Sequence, residues 1–172
     1  MVLGNTRLQT PRLELRPLPA AAARALPADR ETSARLLGAG LPAEWPQVDL
    51  LDVLPLQGVA TAETLPYGVW VLIERSSRTV IGDAGFMGPP GTHETLEIGY
   101  SVIPDRRGRG YATEAVRALV GWAFDQPGVN AVAAGCAADN TPSIRLLERV
   151  GFERIGREGD QLRWRLQTTV ET

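Results

Sequence analysis

From position 104 the chain reads Pro-Asp-Arg-Arg-Gly-Arg-Gly-Tyr-Ala-Thr-Glu-Ala. Gly108 and Gly110 allow the backbone to approach a ligand closely, and an apolar stripe at 112, 115, 116, 119, 120 and 123 predicts a helix starting right after them. The first turn of such a helix offers unpaired N–H groups and the positive end of its dipole, for which phosphate is the natural guest. Arg106, Arg107 and Arg109 make this the one strongly basic stretch of the chain, suited to a multiply charged anion such as a pyrophosphate. All 18 basic residues are arginine. A P-loop therefore lacks its lysine and Schiff-base chemistry has no nucleophile. Ala112 and Glu114 leave no third glycine for a dinucleotide fingerprint. The single cysteine, Cys136, lies in a run of small apolar residues with no histidine near it in sequence, so it reads as a buried, inert thiol. With His93 as the only histidine there is no cluster to hold structural zinc, and no metal is expected.

The elements that position this loop follow from periodicity. Residues 12–16 alternate as a strand, and Pro17 and Pro19 end it. Residues 20–66 are helical in pattern but broken at Pro27, Pro42, Pro46 and Pro55, which predicts two or three short helices. Residues 69–74 and 79–87 read as an antiparallel hairpin about the polar turn 75–78. From Leu96 a third strand places Leu96, Ile98, Tyr100 and Val102 on one face and Glu97, Gly99 and Ser101 on the other. Behind the helix, residues 129–136 form a strand that pairs parallel with a preceding one. A last helix runs from near Thr141, with Pro142 in its first turn, to Gly151, and a hairpin turning at 158–160 closes the chain. The strand bearing Arg163 and Arg165 reads either as an edge kept soluble by charge or as the seam of a homodimer. The class is mixed α/β. With 172 residues, 44% hydrophobic and 22% charged, one domain over 1–172 is expected. Disorder and a membrane span are excluded, and a net charge of −2 opposes nucleic-acid binding. The single cysteine allows no internal disulfide, so a reducing, cytoplasmic setting is expected.

The order of four segments resembles the GCN5-related N-acetyltransferases, in the branch that includes the ribosomal-protein N-terminal acetyltransferases. They are residues 10–17, Glu97-Ile-Gly-Tyr100, Arg107-Gly-Arg-Gly-Tyr-Ala112, and Asn140-Thr-Pro-Ser143 running on to Phe152. The resemblance implies a strongly twisted mixed sheet, flanked by helices and split between two central parallel strands, with acetyl-CoA in the cleft. It assigns cofactor contacts to Val102, Arg107, Gly108, Arg109, Gly110, Tyr111 and Ala112 around the pyrophosphate, and to Asn140 and Ser143 along the pantetheine arm and sulfur.

Acetyl transfer from a thioester to an amine needs a neutral nucleophile, an oxyanion donor and a proton for the departing thiolate. Glu97, on the polar side of the strand entering the loop, is the first choice of base. The Val102 amide, freed by a bulge, is the expected oxyanion donor. Many relatives carry a tyrosine where this chain has Leu147, which leaves Ser143 as a relay and keeps a second reading open, a non-catalytic acyl-CoA-binding module. The acceptor would be a primary amine of a protein N-terminus, a peptide or a small molecule. Trp45 is expected to line its pocket, and Glu31, Glu44, Asp49, Asp52 and Glu63 supply negative charge nearby.

Overall fold

Leu13, Leu15 and Pro17 are buried while Glu14 and Arg16 are not, as strand alternation requires. The computed structural model describes residues 6–168 and has this segment as β2 (Leu13–Pro17), with a short β1 (Leu8–Gln9) beside it. Four helices follow instead of the two or three expected: α1 (Ala20–Ala25), α2 (Arg30–Leu37), α3 (Val48–Leu51) and α4 (Leu54–Gln57), then a 3-10 turn at Leu65–Tyr67. The difference has a local cause. Pro55 falls in the first turn of α4, where a missing N–H costs nothing, so it begins a helix rather than breaking one.

Strands β3 (Val69–Glu74), β4 (Thr79–Phe86) and β5 (Thr95–Val102) form the antiparallel meander. The 14-residue α5 (Tyr111–Phe124) crosses over to β6 (Ala131–Ala137), which pairs parallel with β5. Helix α6 (Thr141–Val150) and the hairpin β7 (Glu153–Glu158) and β8 (Gln161–Gln167) complete the chain. One mixed sheet results, in the order β1-β2-β3-β4-β5-β6-β8-β7. Both β5 and β8 neighbour β6, so the Arg163 and Arg165 strand is interior, and the edge is β7, whose six residues are all exposed.

The parallel pairing covers only Thr95↔Ala131 through Ile98↔Ala134. Beyond Ile98, β5 stays with β4 as far as Val102 while β6 stays with β8 as far as Ala137, so the sheet splits at its centre. On one face α5 buries Val116, Leu119 and Ala123, and Trp122 meets Trp70 edge-on at 5.4 Å and stacks on Phe86 at 5.6 Å. The opposite face of β4 and β5 is covered by the segment around α3. There Trp45 donates to Asp83, and Gln47 is paired with Ser101.

Candidate active site

The Gly/Arg loop takes the shape its glycines allow. Gly108 and Gly110 have φ of 74° and 82°, and Gly110 caps α5 without a side chain. Among the described residues no acceptor meets the N–H groups of Gly108 through Thr113, a run of six amides at the positive end of a helix. The side chains around them divide. Arg106 donates its Nε to Glu74 at 3.1 Å, and Glu74 also accepts from Tyr111 Oη and Ser77 Oγ, both at 2.6 Å. The Ser77 and Tyr111 hydrogen bonds, with Arg106 behind them, hold the Glu74 carboxyl down at about 2 although it is only 6% exposed. Arg106 and the Tyr111 side chain thus fasten the loop to β3. Arg107 donates its Nε to the Val102 carbonyl at 2.8 Å. Arg12 holds the Arg109 carbonyl at 2.9 Å, lies 4.1 Å over the Tyr111 ring and pairs with Glu114. The exposed Arg109 side chain has no ion-pair partner among the described residues.

At the split, Tyr100 Oη donates to Ser143 Oγ at 3.1 Å, so β5 and α6 meet across the gap through two hydroxyls. Burial pushes the Tyr100 hydroxyl above its ordinary value, which keeps it protonated. Asn140 caps α6 by accepting from the Ser143 N–H at 3.2 Å, which commits its Oδ1 and leaves its amide NH2 for a ligand. Leu147 is fully buried. The bulge expected at Val102 is absent, for the β4–β5 register is uniform from Gly82↔Val102 to Phe86↔Ile98. The irregularities lie in the β3–β4 and β7–β8 pairs instead. The amide is free all the same. Met87 N–H bonds to Glu97 and Ile103 N–H to Ile81, so the odd residues of β5 turn their backbone groups to β4. Those of Tyr100 and Val102 therefore face the gap that β6 has left.

Beside this pair opens a cavity of about 740 Å³, lined by Gly99, Tyr100, Cys136, Asn140 and Ser143 at the split and by Asp49, Asp83, Val53, Leu56, Val59 and Met87 farther out. Asp83 is mostly enclosed, and burial, opposed by the Trp45 hydrogen bond and reinforced by Asp49, raises its carboxyl to about 6. Trp45 is fully buried, so it backs the cavity through Asp83 instead of lining it. Of the other acidic residues of the helical segment, Glu31, Glu44, Asp52 and Glu63 stay outside the cavity. Cys136, 6% exposed and a free thiol, faces it. Glu97 does not. Its carboxylate is ion-paired with Arg163 at 3.1 Å, half-exposed, on the part of the sheet face beyond α3. Gly135 lets the arginine cross β6, since a Cβ there would lie 2.8 Å from its guanidinium.

A family profile described as "Acetyltransferase (GNAT) domain" matches residues 12–153, a span that runs from β2 across the loop, the split and α6. The chain belongs to the GNAT acetyltransferase family. This N-acetyltransferase is 28% identical over 124 residues to the uncharacterized N-acetyltransferase YjdG of Bacillus subtilis, which is 70% of this chain and 74% of that one. Of the further curated relatives it spans roughly a quarter to three fifths of the length. Its fold is shared with the ribosomal-protein-S5-alanine acetyltransferase of Vibrio fischeri, at TM-score 0.65 and 14% identity over 96% of this chain and 98% of that one. It is also shared with the microcin C7 self-immunity acetyltransferase MccE, solved with acetyl-CoA and AMP, at TM-score 0.65 and 16% identity over 92% and 94%.

Three residues around the candidate site escaped sequence reasoning. Tyr100 reads from its strand position as one more apolar-face residue, and only the split shows its hydroxyl to Ser143. Asp83 carried a usable signal, a carboxylate inside the apolar run Ile81-Gly-Asp-Ala-Gly-Phe86, because aspartate is depleted from strands. Arg12 gave none, since its hold on the loop spans 97 positions.

Proposed function

We propose that this acetyltransferase takes its acetyl group from acetyl-CoA and delivers it directly to a primary amine of a protein N-terminus, a peptide or a small molecule. The observation that supports this reading is the run of six unpaired amides at the uncapped end of α5. The residues present fit the group: a backbone nest and the unpaired Arg109 for the pyrophosphate, and the Asn140 amide NH2 for the pantetheine arm. Acetyl-CoA supplies the activated acetyl thioester. The N–H of Val102, aimed into the gap, is placed to donate to the acetyl oxygen as charge develops on it. Tyr100 gives its proton through Ser143 to the departing sulfur, the role that Leu147 cannot fill, and the amine's proton leaves to a base. Cys136 takes no acetyl group in this route, which needs a single transfer. Its unpaired thiol also suits a cytoplasmic setting.

Calorimetry with acetyl-CoA and thiol release with a panel of amines test the reading together. Arg109→Glu is expected to weaken acetyl-CoA binding about tenfold, the worth of one charge-assisted hydrogen bond. Unchanged affinity in that variant, or binding with no thiol release from any amine, sinks the assignment. The second outcome would restore the binding-module reading.

A further inference from the structure

We propose that the outer part of the cavity is an acceptor site for a primary amine carried on an apolar group, with Asp83 receiving the ammonium. The inference rests on the acetyl-transfer reading above and names its substrate class.

The charge of the cavity is one-sided. Asp49 and Asp83 line it and no arginine does, in a chain with 18 of them. Only Oδ2 of Asp83 is engaged, by the Trp45 indole at 3.0 Å. Oδ1 has no donor among the described residues and is not sealed from solvent, so it is open to a guest. A cation is the complementary guest, and an acidic acceptor is repelled.

The walls add a second requirement. Eight large apolar side chains are exposed among the described residues, and four of them, Val53, Leu56, Val59 and Met87, gather on this one cavity. Leu56 is 75% exposed. Apolar surface gathered around a carboxylate gains from burial under a matching apolar group, whereas a polycation would have to strip water from its remaining charges there. The ammonium and its apolar substituent therefore point to opposite parts of one site.

Geometry connects that site to the chemistry. Asp83 is paired directly with Ser101 and stands on the sheet face opposite to Tyr100, yet both line the same cavity because β5 has no β6 neighbour beyond Ile98. Gly99, next to Tyr100 in the strand and on the Asp83 face, has nothing within 4 Å of where its Cβ would be, so no side chain blocks the cavity there. The Asp83 carboxylate accepts one proton from the ammonium, and the neutral amine forms the C–N bond as the C–S bond breaks. The sulfur leaves with the proton from the Tyr100 and Ser143 chain. The nitrogen sheds its second proton as the amide forms, and that proton returns through solvent to the tyrosine. Of the two protons lost by the ammonium, one thus ends on the thiol and the other leaves Asp83 for solvent, and no further reagent is needed.

The test compares phenethylamine and a peptide beginning with leucine against spermidine and a peptide beginning with aspartate, by thiol release and by amine calorimetry with coenzyme A bound. The two apolar amines are expected to exceed the others about tenfold or more in kcat/KM, and their ranking separates a small molecule from a peptide source. Leu56→Glu should raise the KM of the apolar amine about tenfold and weaken its calorimetric binding equally, with acetyl-CoA affinity unaltered. Val48→Glu, an equally exposed apolar position outside the cavity, should change neither. Asp83→Asn should lower kcat/KM about 100-fold while acetyl-CoA still binds. Preference for spermidine or the acidic peptide, or an inert Leu56→Glu, overturns the inference while thiol release keeps the transfer reading. Loss of acetyl-CoA binding in the unaltered protein would instead end the transfer reading itself.

Discussion

Asp83 of β4 and Glu97 of β5 stand on the same sheet face. Asp83 pairs with Ser101, which lies four residues along the same strand from Glu97. Strand parity therefore treats the two carboxylates alike. Their surroundings do not. The segment around α3 covers Asp83, a tryptophan holds one of its oxygens, and burial raises its carboxyl to about 6. Glu97 lies beyond that cover, where Arg163 reaches it over Gly135 and solvent reaches both. What makes a carboxylate fit for proton transfer here is the layer packed over it rather than its place on the strand.

The widest separation between the two should come from Gly99→Leu, which puts a side chain into the cavity that Asp83 lines and Glu97 does not. An expected loss of about 100-fold in amine kcat/KM, with acetyl-CoA affinity and Tm nearly unaltered, would be read by thiol release and calorimetry. Full activity in that variant would mean that the acceptor enters on the Glu97 side. Next is Tyr100→Phe, which removes the hydroxyl donor to Ser143. It should cost about tenfold or more in kcat, with little effect on amine KM.

The pH profile discriminates further. A base at Asp83 must be ionised, so kcat should rise nearly tenfold per unit below pH ~6 and level off above ~7. The linked stability term has the opposite sense. A carboxyl whose pKa is raised on folding favours the folded state below its unfolded value near 3.8, and that contribution is lost as pH rises through about 6. Glu74 behaves the other way. Held at about 2, it stabilises the loop above its ordinary 4.5 and loses that contribution as the solution is acidified towards 2. Denaturation curves against pH should therefore depart from the unaltered protein in opposite directions, Glu74→Gln losing stability relative to it above about 4.5 and Asp83→Asn gaining above about 6.

The smallest effect belongs to Glu97→Gln. Removing a half-exposed ion pair should cost under about 1 kcal/mol in a denaturant titration and leave kcat/KM within about threefold. A 100-fold loss in that variant would make Glu97 the base and reverse the comparison.

Much of the frame was legible because its signals are local. Asn140, Pro142 and Gly151 mark both ends of α6, and the side chain of Asn140 and the φ of 110° at Gly151 do in the structure what those residue types do at helix ends. The loop glycines announced the left-handed turns ahead of α5 for the same reason. The four-helix count was not legible, since Pro55 both breaks and begins helices and only packing chooses between them. The bulge expected at Val102 failed on another physical ground: the gap left by β6 frees that amide with the ladder to β4 intact.

The sequence by itself determined that the chain has a glycine loop in left-handed turns ahead of a helix, a β5 strand with a polar and an apolar side, and an α6 helix capped by Asn140. Those properties depend on φ preferences, hydrogen-bonding groups and period within a dozen residues. Only the tertiary structure decided that Arg106 and Tyr111 serve Glu74, that Tyr100 meets Ser143, and that Asp83 rather than Glu97 faces the cavity. Each of these turns on where β5 and β6 part and on which face the α3 segment covers, and both are set by packing between residues far apart in the chain.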